Sequence, residues 1–264
     1  MSPFDADAYW ENRLRASYDE RGVGDIGMSR AYNSYLYSIR RRVFRRCVSR
    51  LPINPSTTHV LDIGSGTGVY VDEWRRWGAA KVTGVDITPT AVERLKAAFP
   101  AFRFIQSDIG DGLQPSEVTR GYDVVSAFDV LFHIVDDARY RQALENIFNA
   151  LNPRGWFLYS ENLVPHESRL THYVSRSERT ILDSLRRNRF EVVSRAPMFV
   201  FMNDPVRTRN RLVRRWYSLL HRVAGSGEIV GRLVGASLYP LELAATRLVK
   251  HGPGTEILVC RRTS

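Results

Sequence analysis

Cysteine is scarce in this chain of 264 residues, which contains only Cys47 and Cys260. Two cysteines cannot build a disulfide framework, and neither lies in the spacing of a metal site, so we expect no metal centre. The chain also lacks any run of about 18 uncharged apolar residues, which argues against a membrane span. Its first residues, MSPFDADAYWENR, are acidic and polar, unlike a secretory signal. These absences together predict a cytoplasmic protein.

Acidic residues are few in one half of the chain. Residues 1–150 hold 19 basic and 19 acidic residues, whereas residues 151–264 hold 19 basic but only 9 acidic residues. The whole net charge of +10 therefore lies in the second half. Such an excess suggests an anionic partner, namely a phosphate, a lipid headgroup or a nucleic acid. A genome bias toward arginine, which supplies 35 of the 38 basic residues, does not explain the lack of acids.

Apolar residues make up 44% of the chain, enough for a packed core, and from about residue 58 they alternate between two periodicities. Short β-branched or aromatic runs predict five strands, at 59–64, 81–86, 102–108, 122–129 and 155–162. Helical patterns lie between them, at 68–77, 89–99 and 137–151. This alternation predicts a parallel sheet with helices on both faces, and NPRG at 152–155 predicts a turn into the fifth strand.

The glycines of VLDIGSGTG (60–68) follow the first strand at every second position, at Gly64, Gly66 and Gly68. Such a turn lets the backbone approach a ligand where any Cβ would collide, whereas a simple tight turn needs only one glycine. A dinucleotide loop would instead read G-x-G-x-x-G and hold a pyrophosphate, which the carboxylate of Asp62 would repel. Asp62 suits a ligand that carries an ammonium group.

Four aspartates, Asp62, Asp86, Asp108 and Asp129, end successive predicted strands at intervals of 24, 22 and 21 residues. With the glycine turn, this series resembles the class I S-adenosylmethionine-dependent methyltransferases over about residues 58–162. YDVVSAFDVLFHI and LNPRGWFLYSEN resemble the family's motifs on strands four and five, with Arg154 in place of a glycine. The resemblance implies a Rossmann-like α/β fold with a seven-stranded, mostly parallel sheet in the order 3-2-1-4-5-7-6. It also implies S-adenosylmethionine as the methyl donor and S-adenosylhomocysteine as the product.

The resemblance assigns donor-site roles to individual residues. Asp86 matches the carboxylate that bonds the ribose hydroxyls, and Asp108 matches the one that meets the adenine amino group. An arginine near the N-terminus, Arg13, could pair with the donor carboxylate. The donor-binding residues predicted in this way are Asp62, Gly64, Ser65, Gly66, Gly68, Asp86, Ile87, Asp108, Ile109, Phe128 and Asp129, with Trp10 and Arg13 from a lid.

The acceptor side is predicted with less support from motifs. His133 is the candidate catalytic residue, as a base for the acceptor or a group that orients it; the alternative is a histidine that only packs in its loop. Glu161 and Asn162 either bond the acceptor or cap the loop after strand five. Tyr37 and Trp216 complete the predicted acceptor-binding set.

The remaining elements flank this core. A helix over 175–190 and a strand over 190–201 form a sixth unit, and the last strand lies at 255–262, after helices predicted over 206–224 and 238–251. We therefore divide the chain into a helical lid, a core domain and a helical insertion that covers the acceptor site, at 1–50, 51–202 with 253–264, and 203–252. The lid segment could equally pack its aromatic stripe on the core.

The predicted function is methyl transfer to a small-molecule or lipid-like acceptor, at a hydroxyl oxygen. The helix over 206–224 is basic and amphipathic, so it is compatible with contact to a membrane surface, although its apolar face could equally pack on the core. One alternative is an RNA methyltransferase whose arginines contact phosphates, but no N-P-P-[YFW] motif follows strand four, and we favour no nucleic-acid partner. A non-catalytic scaffold is the other alternative. The sequence predicts no oligomeric state.

Overall fold

The main sheet of the protein has seven strands. We obtained a computed structural model, which describes residues 4–111 and 121–263, so the first three residues of the predicted lid lie outside it. The strands are β1 (His59–Ile63), β2 (Lys81–Asp86), β3 (Arg103–Gln106), β4 (Tyr122–Ala127), β5 (Leu151–Glu161), β8 (Phe190–Pro197) and β9 (Glu256–Arg262). Two strands of two residues each, β6 (Ser168–Arg169) and β7 (Val174–Ser175), form a separate pair that the sequence analysis missed.

The strand order is β3-β2-β1-β4-β5-β9-β8. Strands β1 to β5 pair in parallel, while β9 is antiparallel to both β5 and β8. The predicted order 3-2-1-4-5-7-6 is thereby confirmed, with β8 and β9 as the sixth and seventh strands. The carboxyl ends of the parallel strands meet at one edge, where open α/β sheets bind their ligands.

Eight α-helices surround the sheet in the described part of the chain. They are α1 (Ala6–Ala16), α2 (Arg30–Val48), α3 (Val69–Trp77), α4 (Pro89–Ala98), α5 (Asp137–Ala150), α6 (Glu178–Arg187), α7 (Arg211–Gly225) and α8 (Glu228–Leu248). Side chains cap several N-termini where the sequence supplies Ser, Thr, Asp or Asn; Asp136, for example, accepts a hydrogen bond from the N–H of Arg139 at 2.8 Å.

Helix α2 does not belong to a lid, contrary to the division made from the sequence. Its Tyr32, Ile39 and Val43 are completely buried, in the apolar layer that also holds Trp74 of α3. The segment around α1 lies over the ligand-binding edge of the sheet, and α2 also reaches this edge through Tyr37 and Arg40. The sequence pattern was ambiguous because an aromatic amphipathic helix looks the same whether it covers a core or a ligand.

Helix α8 begins at Glu228, ten residues before the predicted start at 238. Gly231 and Gly235 lie inside the helix, where they face Ser29 and Tyr35 at the start of α2. A Cβ on Gly231 would lie 1.9 Å from Oγ of Ser29, and one on Gly235 would lie 2.2 Å from the ring of Tyr35. The glycines therefore serve helix–helix contact and do not end the helix.

Strand β5 starts at Leu151 and runs through the predicted turn at 152–155. Arg154 sits within it at a φ of 62°, in the left-handed region that glycine adopts without strain. The register with β4 shifts between Tyr122 and Val124, beside this point. The irregularity thus interrupts the pairing without ending the strand.

Candidate active site

A cavity of about 590 Å³ lies at the carboxyl ends of the parallel strands, beneath α1. This volume is typical of sites for small molecules and cofactors. Its lining includes most of the predicted donor-binding residues, namely Trp10, Gly64, Ser65, Gly66, Asp86, Ile87, Asp108, Ile109, Phe128 and Asp129. His133 and Tyr37 of the predicted acceptor set also line it.

The turn after β1 holds its backbone against the cavity. The N–H of Gly64 donates to the carbonyl of Val85 at 2.7 Å, which ties the turn to β2. Gly64 has a φ of 67°, and a Cβ there would lie 2.2 Å from Cγ2 of Val130. At Gly66, with a φ of 51°, the nearest protein atom to a Cβ is 3.4 Å away, in Val23. Gly68 instead begins α3 and does not line this cavity.

Asp62 lies beneath this turn and does not line the cavity, so its predicted direct contact with an ammonium group does not appear here. It is 2% exposed, and its Oδ1 accepts a 2.6 Å hydrogen bond from Oγ of Ser126. That hydroxyl in turn accepts a hydrogen bond from Nε1 of Trp74 at 3.0 Å. Burial raises the pKa of Asp62 to about 7. The chain of hydrogen bonds fixes the turn from below.

Asp86 and Asp108 present carboxylates at the ends of β2 and β3. Oδ2 of Asp86 accepts the N–H of Gly66 at 2.8 Å, and Oδ1 accepts both the N–H and the hydroxyl of Thr88. Burial raises the pKa of Asp86. Each carboxylate oxygen accepts about two hydrogen bonds, so Oδ2 keeps capacity for a ligand hydroxyl. Oδ2 of Asp108 accepts from Nη2 of Arg139 at 2.8 Å.

Asp129 follows β4 and is held from two sides. Its N–H donates to Oγ of Ser160 at 2.6 Å, and that hydroxyl donates to Oδ1 of Asp129 at 2.9 Å. Its other oxygen pairs with Nη1 of Arg40, which is 9% exposed and lies over the rings of Tyr37 and Phe199. Asp129 has a φ of 59°, a strained value of the kind often found at functional sites.

His133 ends the short 3-10 turn Leu131–His133 and lines the cavity. Its Nδ1 lies 2.8 Å from the carbonyl oxygen of His172. Because a carbonyl only accepts, Nδ1 carries the proton and Nε2 keeps a free lone pair. The ring packs edge-on against Trp10, with centroids 4.8 Å apart. Burial lowers the pKa of His133 to about 4, so the imidazole is neutral at physiological pH.

The segment around α1 is tied to the cavity rim by a few polar contacts. Glu11 accepts the N–H and hydroxyl of Thr90, and the hydroxyl of Tyr18 donates to the carbonyl of Gly66 at 3.0 Å. Arg13 does not line the cavity, since its guanidinium donates to the carbonyls of Gly22 and Gly24 at 3.0 and 2.9 Å. Its predicted pairing with a donor carboxylate is therefore not seen in this arrangement.

Three predicted acceptor residues lie away from the cavity. Glu161 is fully buried on the opposite side of β5, and burial raises its pKa to about 8. Asn162 accepts a hydrogen bond from the hydroxyl of Thr255 at 2.8 Å. Trp216 donates to the carbonyl of Phe201 from the surface of α7. No residue of the insertion at 203–252, all of which is described, lines the cavity, so this segment does not cover the site.

Two arginines near the cavity were missed by the sequence analysis. Arg139 lines the cavity and bridges Asp108 and Asp111 at 2.8 and 2.9 Å. Its position in the first turn of a helix that follows strand four was the available signal. Arg40 left no signal, because nothing in the sequence connects it with Asp129.

The sequence of this chain is similar to those of known methyltransferases. A family model described as a methyltransferase domain matches residues 35–219. The chain is 27% identical over 160 residues to EEF1A lysine methyltransferase 2 of Mus musculus, covering 58% of this chain and 62% of that protein. It is 29% identical over 94 residues to trans-aconitate 2-methyltransferase of Escherichia coli K12, covering 35% and 33%. The matches therefore span less than two thirds of these relatives.

Solved structures share the fold at low sequence identity. The N-methyltransferase NodS from Bradyrhizobium japonicum WM9, in complex with S-adenosyl-L-homocysteine, has a TM-score of 0.58 and 13% identity, covering 98% of this chain and 99% of that one. An S-adenosylmethionine-dependent methyltransferase from Leishmania major has a TM-score of 0.59 and 17% identity, covering 73% and 75%. Since the family model spans more than half of the chain, the chain belongs to the methyltransferase-domain family.

Proposed function

We propose that this enzyme transfers a methyl group to a hydroxyl oxygen of a small-molecule or lipid-like acceptor, with His133 receiving the hydroxyl proton. The observation that carries the proposal is the state of His133. It lines the cavity as a neutral imidazole whose Nδ1–H is bound to the carbonyl of His172, so Nε2 is the free acceptor. A hydroxyl donating to Nε2 would be oriented for displacement.

The cavity offers suitable contacts for the donor. Gly64 and Gly66 leave room at the backbone, Asp86 keeps hydrogen-bonding capacity for a ribose hydroxyl, and Asp108 faces the cavity from the end of β3. When bound, S-adenosylmethionine supplies a methyl carbon already activated by its sulfonium. The protein therefore has mainly to position the acceptor oxygen and exclude water.

A pKa of about 4 makes His133 a weak base, and a weak base is sufficient for this reaction. As the new carbon–oxygen bond forms, the hydroxyl becomes a protonated ether, which is far more acidic than an imidazolium. The proton therefore moves from the acceptor oxygen to Nε2 during or after methyl transfer. Asp129 lies near enough for its charge to favour the protonated imidazole.

Apolar and aromatic side chains in the cavity lining favour an apolar or aromatic acceptor. Leu14, Val23, Tyr37, Tyr70 and Phe128 all line the cavity, and the rings of Tyr70 and Phe128 are stacked with centroids 4.1 Å apart. Burial raises the pKa of Tyr37, so its phenol is neutral. Of the two relatives, the name of one points to a small-molecule acceptor and the name of the other points to a protein lysine.

The test uses the enzyme with S-adenosylmethionine labelled in its methyl group. Cell extract is separated into a lipid and small-molecule fraction, a protein fraction and an RNA fraction, and each is offered as acceptor. We expect label in the first fraction, as a methyl ether. Label confined to tRNA or rRNA, or to protein lysines, would contradict the proposal.

His133→Gln tests the role of the imidazole. We expect turnover to fall by about 100-fold or more, while calorimetric affinity for S-adenosylhomocysteine stays within a factor of about two. His172→Gln is the matched control, because the contact to His133 comes from the backbone carbonyl of residue 172. Unchanged turnover in His133→Gln would refute the proton-accepting role and leave the donor site intact.

A further inference from the structure

Exposed apolar side chains are concentrated on one helical hairpin. Among the described residues, thirteen large apolar side chains are exposed, and nine of them lie on α7 and α8. Monomeric soluble proteins seldom expose such a contiguous patch without an interaction partner. None of the nine lines the cavity, so the patch is not explained by the active site.

Helix α7 turns its apolar stripe toward solvent. Leu212, Trp216, Leu219 and Val223 follow one another at helical spacing, and the first three are 73%, 42% and 54% exposed. Only Leu220 and Ala224 of this helix are buried. The stripe that the sequence analysis could place either on the core or on a membrane is therefore uncovered.

Helix α8 extends the same patch across a two-residue connection. Ile229 and Leu233 are one turn apart and are 78% and 64% exposed. Leu219 and Leu233 stand at equal distances along the chain from Ser226, which lies in the connection between the helices. Helices α7 and α8 also contact each other along the hairpin. We call the six residues Leu212, Trp216, Leu219, Val223, Ile229 and Leu233 the docking face.

Basic residues flank the docking face without acidic partners. Residues 203–252 contain nine arginine and lysine residues but only three acidic ones. Glu242 is buried and Glu228 accepts the N–H groups of Arg30 and Ala31. Within the described ranges 4–111 and 121–263, Arg211, Arg215 and Arg222 form no salt bridge.

We infer that the docking face seats this enzyme on an anionic lipid bilayer. An apolar stripe bordered by arginines suits the boundary between acyl chains and anionic headgroups. A tryptophan anchored at its polar edge also fits that boundary, and Nε1 of Trp216 donates to the carbonyl of Phe201. A second copy of the chain is disfavoured as the occupant, because its own arginines would meet the same positive surface.

The hairpin that carries the docking face packs on a segment that also lines the active-site cavity. Helix α7 packs on the loop before α2, where the N–H of Ser29 donates to the carbonyl of Ala224 and His221 lies 3.3 Å from Asp25. The same loop carries Val23, which lines the cavity. The inference does not depend on the identity of the methyl acceptor.

Vesicle sedimentation tests the inference with the whole enzyme. One set of vesicles is phosphatidylcholine alone, and the other contains about 30% phosphatidylglycerol. We expect binding to the anionic vesicles, weakened by salt, and a loss of about tenfold or more in Leu219→Glu/Leu233→Glu. Val193→Glu is the matched control, since Val193 is 50% exposed on β8, outside the docking face.

Three outcomes would overturn the inference. These are no binding to either vesicle, equal binding to both, and a dimer in sedimentation equilibrium that Leu219→Glu/Leu233→Glu dissociates. Affinity for S-adenosylhomocysteine checks that the variant is folded. If it is not, Arg215→Gln/Arg222→Gln replaces it and must lower both the binding to anionic vesicles and its salt dependence.

Discussion

Replacing Glu161 by glutamine should remove a pH-dependent loss of stability from the folded enzyme. The carboxyl group is fully buried, and Oε1 accepts the N–H of Asn162 at 2.9 Å. Oε2 has no hydrogen-bond partner in the part of the chain that the structure describes. Burial raises the pKa of Glu161 to about 8, because the N–H of Asn162 and the charge of Arg176 offset only part of the cost of burying a charge.

The sign and size of the effect follow from linkage. In the unfolded chain this carboxyl loses its proton near the ordinary pKa of 4.5, whereas the folded protein retains it to about 8. The folded state therefore holds one proton more over this range, and its stability falls as pH rises. Each pH unit corresponds to about 1.4 kcal/mol at most, and because the slope is smaller near both pKa values, the loss is about 3 kcal/mol between about pH 5 and pH 8.

Urea unfolding of the wild type and Glu161→Gln across this pH range measures the effect. We expect the variant to gain stability relative to the wild type by about 3 kcal/mol as pH rises from about 5 to 8. Every other titrating group is present in both proteins and cancels in the difference.

Glu242→Gln provides a contrast. Its buried carboxylate accepts the N–H groups of Val200 and Phe201 at 2.6 and 2.8 Å, so this variant should lose about 1–3 kcal/mol. A difference between Glu161→Gln and the wild type that does not change with pH would refute the reasoning about Glu161. A loss of affinity for S-adenosylhomocysteine in Glu161→Gln would place the residue back in the active site.

Two further substitutions test the backbone. Gly64→Ala should lower the free energy of unfolding by about 2 kcal/mol or more, since its Cβ would lie 2.2 Å from Val130 and φ is 67°. Adding Val130→Ala should restore part of that stability in urea unfolding. Full stability in Gly64→Ala alone would contradict the packing. Arg154→Gly should stabilise the fold by about 1 kcal/mol and raise the melting temperature, because Arg154 is exposed and held at a φ of 62°. A lower melting temperature would show that contacts of the Arg154 side chain stabilise the fold by more than its backbone strain costs.

The sequence predicted the sheet well, and most of the residues predicted to bind the donor line the cavity. Strand and helix periodicities are local, and parallel strands necessarily bring their carboxyl ends to one edge, so Asp86, Asp108 and Asp129 could be placed together in advance. The glycine turn was equally readable, because the need for a backbone free of Cβ is a property of the residue type.

The rest of the cavity was less predictable because its contacts join distant parts of the chain. Arg40 and Asp129 are separated by 89 positions, and Glu161 lies on the far side of β5 from the cavity although it directly follows Ser160 on the same strand. A one-residue difference along a strand changes the face of the sheet that a side chain meets. Motif position alone could not decide which of these neighbours reaches the cavity.

The sequence by itself determined which segments are amphipathic, and the tertiary structure decided what covers each apolar face. Helices α2 and α7 both carry an apolar stripe beside arginines, yet Tyr32 and Ile39 of α2 are completely buried while Leu212 and Leu219 of α7 face solvent. The pattern records that a stripe is apolar, whereas its partner depends on which elements the fold brings against it.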